Sequence, residues 1–210
     1  MKSSATLIVF LFLLISCSQG SRHRTLSNSA NSVKQDSIFS QNKLTQIRVF
    51  QNDKINEIQF FHEDGSLRKV VKYMYINNDP TPNQFIVFGK EGDTLKRKSL
   101  YYDLYCIKDT LEVGEKYQFK IILTGHVFDS AMFYLCNYNK NFVLDTAHTE
   151  CSLFSMDKQP LSATVAVVKY TKGWNYIRGR IDNYQNYNDQ SGMERNTHAS
   201  VYFIDSFYVK

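Results

Sequence analysis

From Lys116 to Thr124 the side chains alternate without a break, with Tyr117, Phe119, Ile121 and Leu123 on one side and Lys116, Gln118 and Lys120 on the other. Only an extended strand sorts such a run into one apolar and one polar surface, because its side chains point alternately to opposite faces. A sheet with one buried face follows, and further runs repeat the pattern. Glu57 to Phe61, Val70 to Ile76, Gln84 to Phe88, Ala131 to Cys136, Ala163 to Lys169, Tyr176 to Ile181 and Ser200 to Val209 also read as strands. Fourteen Tyr and 15 Phe against three Pro and one Trp favour strands over helices. No window of a dozen residues carries a capped helical stripe, so the fold class is mainly β.

The chain begins differently. Lys2 supplies an early positive charge, and Leu7 to Ile15 is an unbroken apolar run closed by Ser16 and Cys17, the layout of a signal peptide. A membrane-spanning helix needs about 20 apolar residues, roughly twice this run. Leu14-Ile15-Ser16-Cys17 resembles the bacterial lipobox. That resemblance implies cleavage before Cys17, a diacylglycerol on its thiol and acylation of its amine, and several acyl chains suffice for stable anchoring. Residues 1–16 are thus expected to be the signal peptide and residues 17–43 the lipidated cysteine with a flexible tether. The tether reading rests on a Ser-, Asn- and Gln-rich composition too poor in apolar side chains to offset its ordering entropy. Ser18 to Arg22 carry no acidic cluster, which by analogy with lipoprotein sorting favours the outer membrane, facing the periplasm, over the inner membrane or the cell surface.

Residues 44–108 read as a β-hairpin region. The segment from Phe60 to Lys69 is echoed by Val87 to Arg97, each an apolar strand end, an acidic-glycine turn and a basic return leg. The pattern distantly resembles the short hairpin repeats of bacterial envelope and toxin-associated proteins, although two copies do not name a family. Asn77 to Asn83 lies between them as a turn cluster. Residues 109–210 resemble a bacterial immunoglobulin-like β-sandwich. Asp109 to Tyr117 leads into the alternating strand, Gly173-Trp174-Asn175 opens the penultimate strand, and Phe203 to Val209 closes the chain. The antibody-type cysteine pair around a core tryptophan is missing, since Trp174 follows every cysteine.

Cys106, Cys136 and Cys151 remain besides Cys17. An exported protein allows one disulfide and a leftover thiol, and Cys136 with Cys151 would close a short loop around Asn137 to Asn141; three small buried hydrophobes are the alternative. No metalloprotease, nucleophile-elbow, redox-dithiol or phosphate-loop motif is present, and no cofactor or metal is expected. His126, His148 and Cys151 could meet only through folding, and Asp182, Asn186, Asn188 and Asp189 offer oxygens without a calcium-loop register.

The formal charge is +5 with a pI of about 8.9. Basic Arg68, Lys69, Lys72, Lys96, Arg97 and Lys98 interleave with Tyr73, Tyr101 and Tyr102, but export removes nucleic acid as a partner. Asp182 to Gly192 reads as a polar loop in which Tyr184, Asn186, Tyr187 and Asn188 form a recognition surface, with a solvated hairpin loop as the plainer reading. The expected function is a non-enzymatic interaction or scaffold module of the cell envelope, bound to the membrane by its lipid and to an envelope protein. The alternative is a glycan-binding accessory protein of an uptake or degradation system.

Overall fold

The computed structural model describes residues 32–125, 130–145, 151–158, 161–168, 171–188, 191–192 and 194–210, with backbone alone for 157–158, 185–188 and 194–197. The expectations placed on the signal peptide and Cys17 therefore lie outside the described residues. The strands are β1 (Val33–Ser40), β2 (Lys43–Gln51), β3 (Lys54–Phe61), β4 (Leu67–Ile76), β5 (Asp79–Val87), β6 (Leu100–Cys106), β7 (Thr110–Leu111), β8 (Lys116–Gly125), β9 (Ser130–Cys136), β10 (Cys151–Ser155), β11 (Asp157–Lys158), β12 (Leu161–Val168), β13 (Gly173–Asn188) and β14 (Glu194–Val209). They form a nine-stranded sheet, β1-β2-β3-β4-β5-β6-β8-β12-β11, and a five-stranded sheet, β10-β9-β13-β14-β7. The chain is mainly β, as the alternating runs require.

The two sheets stack as a sandwich over residues 100–210. β6 pairs with β8, and the short β7 then crosses to run parallel with β14 in the facing sheet. With β8-β12-β11 on one side and β10-β9-β13-β14 on the other, the strand order is that of an immunoglobulin-like sandwich. The sandwich begins nine residues earlier than its sequence pattern suggests, because Leu100 to Cys106 already pairs with β8. Tyr117, Phe119, Ile121 and Leu123 are all buried and meet Phe133, Ile181, Val201, Phe203 and Phe207 from the other sheet. Phe203 stacks on Phe133 with ring centroids 5.1 Å apart, and Tyr117 stacks on Phe207 at 4.2 Å. The Tyr117 hydroxyl donates to the Asp205 carboxylate at the edge of this core.

Strands β1 to β5 form an antiparallel meander that prolongs the larger sheet beyond its partner. None of β1 to β4 contributes to the central core cluster, and only Ile58, Val70 and Val71 of these strands are buried. A single layer must be held by its own backbone ladder and by side chains lying along it. The Lys69 ammonium sits over the Phe85 ring at 5.1 Å and the Lys54 ammonium over Tyr75 at 4.7 Å, cation–π contacts that run along the layer. The turns Gln41-Asn42, Asn52-Asp53 and Asn77-Asn78 place both residues at positive φ, between 50° and 68°. That is the two-residue hairpin geometry whose twist matches that of the flanking strands.

Three expectations are corrected here. Val33–Ser40 is strand β1 and not tether, since backbone pairing with β2 holds it although most of its side chains are exposed. Asp79 to Asn83 belongs to β5: only Asn77-Asn78 turns, and Pro80 and Pro82 occupy positions whose missing N–H faces away from β4. The segment from Val87 to Arg97 closes a turn through the Phe88–Thr94 bridge, but its return leg is a 3-10 turn at Lys96–Lys98, so it is no second hairpin. Ser99 fixes that detour, donating to the Leu95 carbonyl and accepting from the Val87 N–H, both at 2.9 Å.

Asn83 ties the meander to the sandwich. Its Nδ2 donates to the Tyr202 carbonyl and its Oδ1 accepts from the Tyr202 N–H, both at 2.7 Å, so one side chain imitates a neighbouring strand along the open edge of β14. Asn83→Ala should lower the urea midpoint by the equivalent of about 1–3 kcal/mol, the cost of leaving buried backbone groups unpaired. Hydrogen exchange should show the β14 edge at Tyr202 losing protection first.

A second test uses pH. Burial raises the Asp205 pKa above its ordinary value, against the lowering effect of the Tyr117 hydroxyl and the Ser206 N–H. The folded state then holds this proton more tightly than the unfolded state. The resulting stability is complete below the unfolded value near 3.8 and is lost as pH rises through the higher folded value. Asp205→Asn keeps an acceptor for Tyr117 and removes the titration. Urea midpoints should therefore improve relative to wild type between pH 4 and pH 7, and a constant difference would contradict the assignment.

Candidate functional site

The outer face of the five-stranded sheet carries a cluster of polar and aromatic groups. Alternation along β13 buries Ile177, Gly179, Ile181 and Asn183 and turns Tyr176, Arg178, Arg180, Asp182 and Tyr184 outward. Arg180 lies opposite Tyr134 of β9 and Tyr202 of β14, and Asp182 lies opposite Met132 and Ser200. The Arg180 guanidinium donates to Asp182 at 2.8 Å and sits 5.0 Å from the centre of the Tyr134 ring. Burial works against its charge, but Asp182, with Tyr138 and Tyr202, outweighs this and raises its pKa. Asp182 also accepts from the Ser200 hydroxyl at 2.6 Å.

Residues 137–145, which follow β9, fold over this face. The Asn139 Oδ1 accepts from the N–H groups of Asn141 and Val143, and Phe142 takes a positive φ of 57°, uncommon for so bulky a residue. Its buried ring meets Tyr202 edge-on at 5.6 Å. The Asn77 N–H reaches across to the Asn141 carbonyl at 2.7 Å, so the β4–β5 turn braces the same segment.

The expected recognition loop is largely strand. Asp182 to Asn188 continues β13 and pairs residue by residue with Glu194 to Ser200 of β14. Asp182 and Asn183 are buried, and the Tyr184 hydroxyl lies 3.4 Å from both the Tyr134 hydroxyl and the Asp182 carboxylate. The Tyr134 contact, with burial and the charge of Asp182, pushes the Tyr184 pKa up to about 12. Tyr184 is therefore engaged with its own sheet and is no loop residue. Asn186, Tyr187 and Asn188 lie on the same strand, whereas Asp189 is outside the described residues. The sequence misled because its alternation here is of Tyr with Asn and Gln, and the partners that hold it sit on a different strand.

A cleft of about 370 Å³ opens where β9 parts from β13. The ladder between them ends at the Leu135–Gly179 pair, and the next outward side chain of β13, Arg178, stands in the gap. Asn137, Tyr138, Ser152 and Tyr176 form its polar and aromatic walls, with Val167 and Ile177 toward the space between the sheets. The Arg178 Nε is buried without a partner, its guanidinium lies 5.3 Å from the centre of the Tyr176 ring, and burial lowers its pKa against a smaller opposing effect of Tyr176. Sequence reading passed over Arg178, since only the divergence of two strands distant in sequence gives it a cleft.

Among the described residues no three His, Cys, Asp or Glu side chains converge on a metal position. His126 and His148 lie outside those residues. Cys136 and Cys151 are opposite one another on β9 and β10 and form a disulfide, and Cys106 is a free, exposed thiol. The bridge holds the edge strand beside the cleft. With 15 residues of sequence separation, replacing both cysteines by Ser should cost about 3 kcal/mol through loop-closure entropy in the unfolded chain. Thermal melts would measure it, and peptide mass mapping under non-reducing conditions should leave Cys106 alkylatable. Comparisons with protein-family models, with curated proteins and with solved structures find no match to this chain.

Proposed function

We propose that this chain is an envelope lipoprotein, anchored through Cys17 and facing the periplasm from the outer membrane, whose β body works as a non-enzymatic interaction or scaffold module. The observation that supports the reading is the single-layer meander. Strands β2 to β5 leave Ile47, Val49, Phe50, Ile55, Phe60 and Ile86 only partly buried, on a sheet that runs on from an immunoglobulin-like sandwich. A layer that no described element covers leaves part-exposed apolar surface of the kind that protein interfaces use. A lipid anchor confines that surface to the membrane, where an envelope protein meets it at high local concentration.

The glycan-binding alternative has its own support in the tyrosine-lined cleft at Arg178. Both readings share the anchor. Cys17→Ser should abolish labelling by a fatty-acid analogue and move the chain from the outer-membrane fraction to the soluble periplasm, or block its processing. Unchanged membrane retention with normal cleavage overturns the anchor. Extraction in mild detergent followed by native electrophoresis tests the module: a larger species that Phe50→Ser and Ile47→Ser dissociate is expected, and recovery of only the monomer counts against a stable complex.

A further inference from the structure

We propose that the cleft between the parted ends of β9 and β13 binds an acidic saccharide, with Arg178 taking the carboxylate of the sugar. The two outward arginines of β13 define the argument by their difference. Arg180 is neutralised by Asp182 at 2.8 Å. Arg178 has no carboxylate partner among the described residues, whereas the Nε of both arginines is buried with no hydrogen bond, so the carboxylate alone separates them. A guanidinium partly withdrawn from water and left unpaired is costly, and an incoming anion recovers that cost. The planar fork of arginine matches a carboxylate in a bidentate pair, and the Tyr176 ring beside it orients the fork.

The rest of the cleft selects the body that carries the anion. Tyr138 and half-exposed Tyr176 offer ring faces and hydroxyls, while Asn137 and Ser152 offer short polar groups. That combination, an aromatic platform with hydrogen-bonding side chains at its rim, suits a pyranose ring with its dense hydroxyls. The volume of about 370 Å³ is near the lower end of ligand clefts, which run from about 300 to 1,000 Å³. It admits a terminal sugar unit and not the length of a polymer. The disulfide between Cys136 and Cys151 fixes one wall, so the site is preorganised.

The inference rests on the reading of the chain as an envelope protein, where acidic polysaccharide is met, but its test does not depend on the anchor. Full-length chain extracted in detergent is titrated calorimetrically with trigalacturonate, maltotriose, a tri-aspartate peptide and sodium sulfate. Saturable binding of trigalacturonate, with maltotriose much weaker, is expected. Arg178→Gln should weaken it roughly 10- to 100-fold, as loss of a charge-assisted hydrogen-bonded pair does, and Arg178→Lys should fall between. Arg48→Gln, an exposed charge change on β2, should leave affinity unchanged, and matching thermal melts for all variants exclude misfolding. Trigalacturonate binding unaffected by Arg178→Gln overturns the site. Equal affinity for tri-aspartate or sulfate overturns the saccharide assignment in favour of a general anion site, and absence of saturable binding overturns the proposal. Cys17→Ser fractionation reports on the anchor separately from any of these outcomes.

Discussion

Phe203 lies against the backbone of Gly179, and the remainder of the sandwich is arranged around that contact. A Cβ at position 179 would come within 2.2 Å of the Phe203 ring and 2.6 Å of the Tyr134 carbonyl, so only glycine lets the ring occupy this place. From there Phe203 stacks on Phe133 and meets Phe119 of the opposite sheet at 6.1 Å. The spacing of the two sheets and the register of the β13–β14 hairpin follow together. Register in turn decides the outer face, since a slip of one residue would exchange every inward side chain for an outward one. Arg178, Arg180 and Asp182 point outward because Ile177, Gly179 and Ile181 pack inward.

The meander depends on the sandwich more than the sandwich depends on the meander. Along its ladder only Phe85 and Leu100 pair β5 with β6, a narrow join for five strands. Asn83 on Tyr202 and Asn77 on Asn141 widen it by reaching the other sheet and the segment that covers it. Bulges in the β1–β2, β2–β3, β3–β4 and β4–β5 ladders add local twist. A single layer with irregular, strongly twisted ladders is a poor template for indefinite edge-to-edge pairing, although β1 remains an exposed edge.

Strands with apolar-polar alternation were legible in the sequence because burial of one face is a local instruction. Tyr117, Phe119, Ile121 and Leu123 announce it within nine residues. β1 carries no such instruction, as its place comes from backbone pairing to β2 across the Gln41-Asn42 turn. The distal half of β13 hides for a related reason: Asp182 is held by Ser200 and Tyr184 by Tyr134, and both of these partners are invisible until the register is known. The link from Asn83 to Tyr202 spans 119 residues, and no periodicity encodes it. Cys136 and Cys151 were a legible pair because they flank a turn-rich segment, while Arg178 became a candidate only once two strands were seen to separate.

The contrast between Arg178 and Arg180 also bears on how the sheet disposes of charge on its outer face. Both residues extend from one strand, two positions apart, over the same rigid aromatic layer. Arg180 has its carboxylate built in, which fixes Asp182, Ser200 and Tyr184 into one network and leaves little free energy for a ligand to recover. Arg178 stands where the ladder has ended, with solvent on one side and the Tyr176 ring on the other. Its Nε is buried, and among the described residues no carboxylate neutralises its charge. One arginine of the strand thus holds the sheet together through Asp182 and the next stands open at the end of the ladder, and the network around the first keeps the second in position.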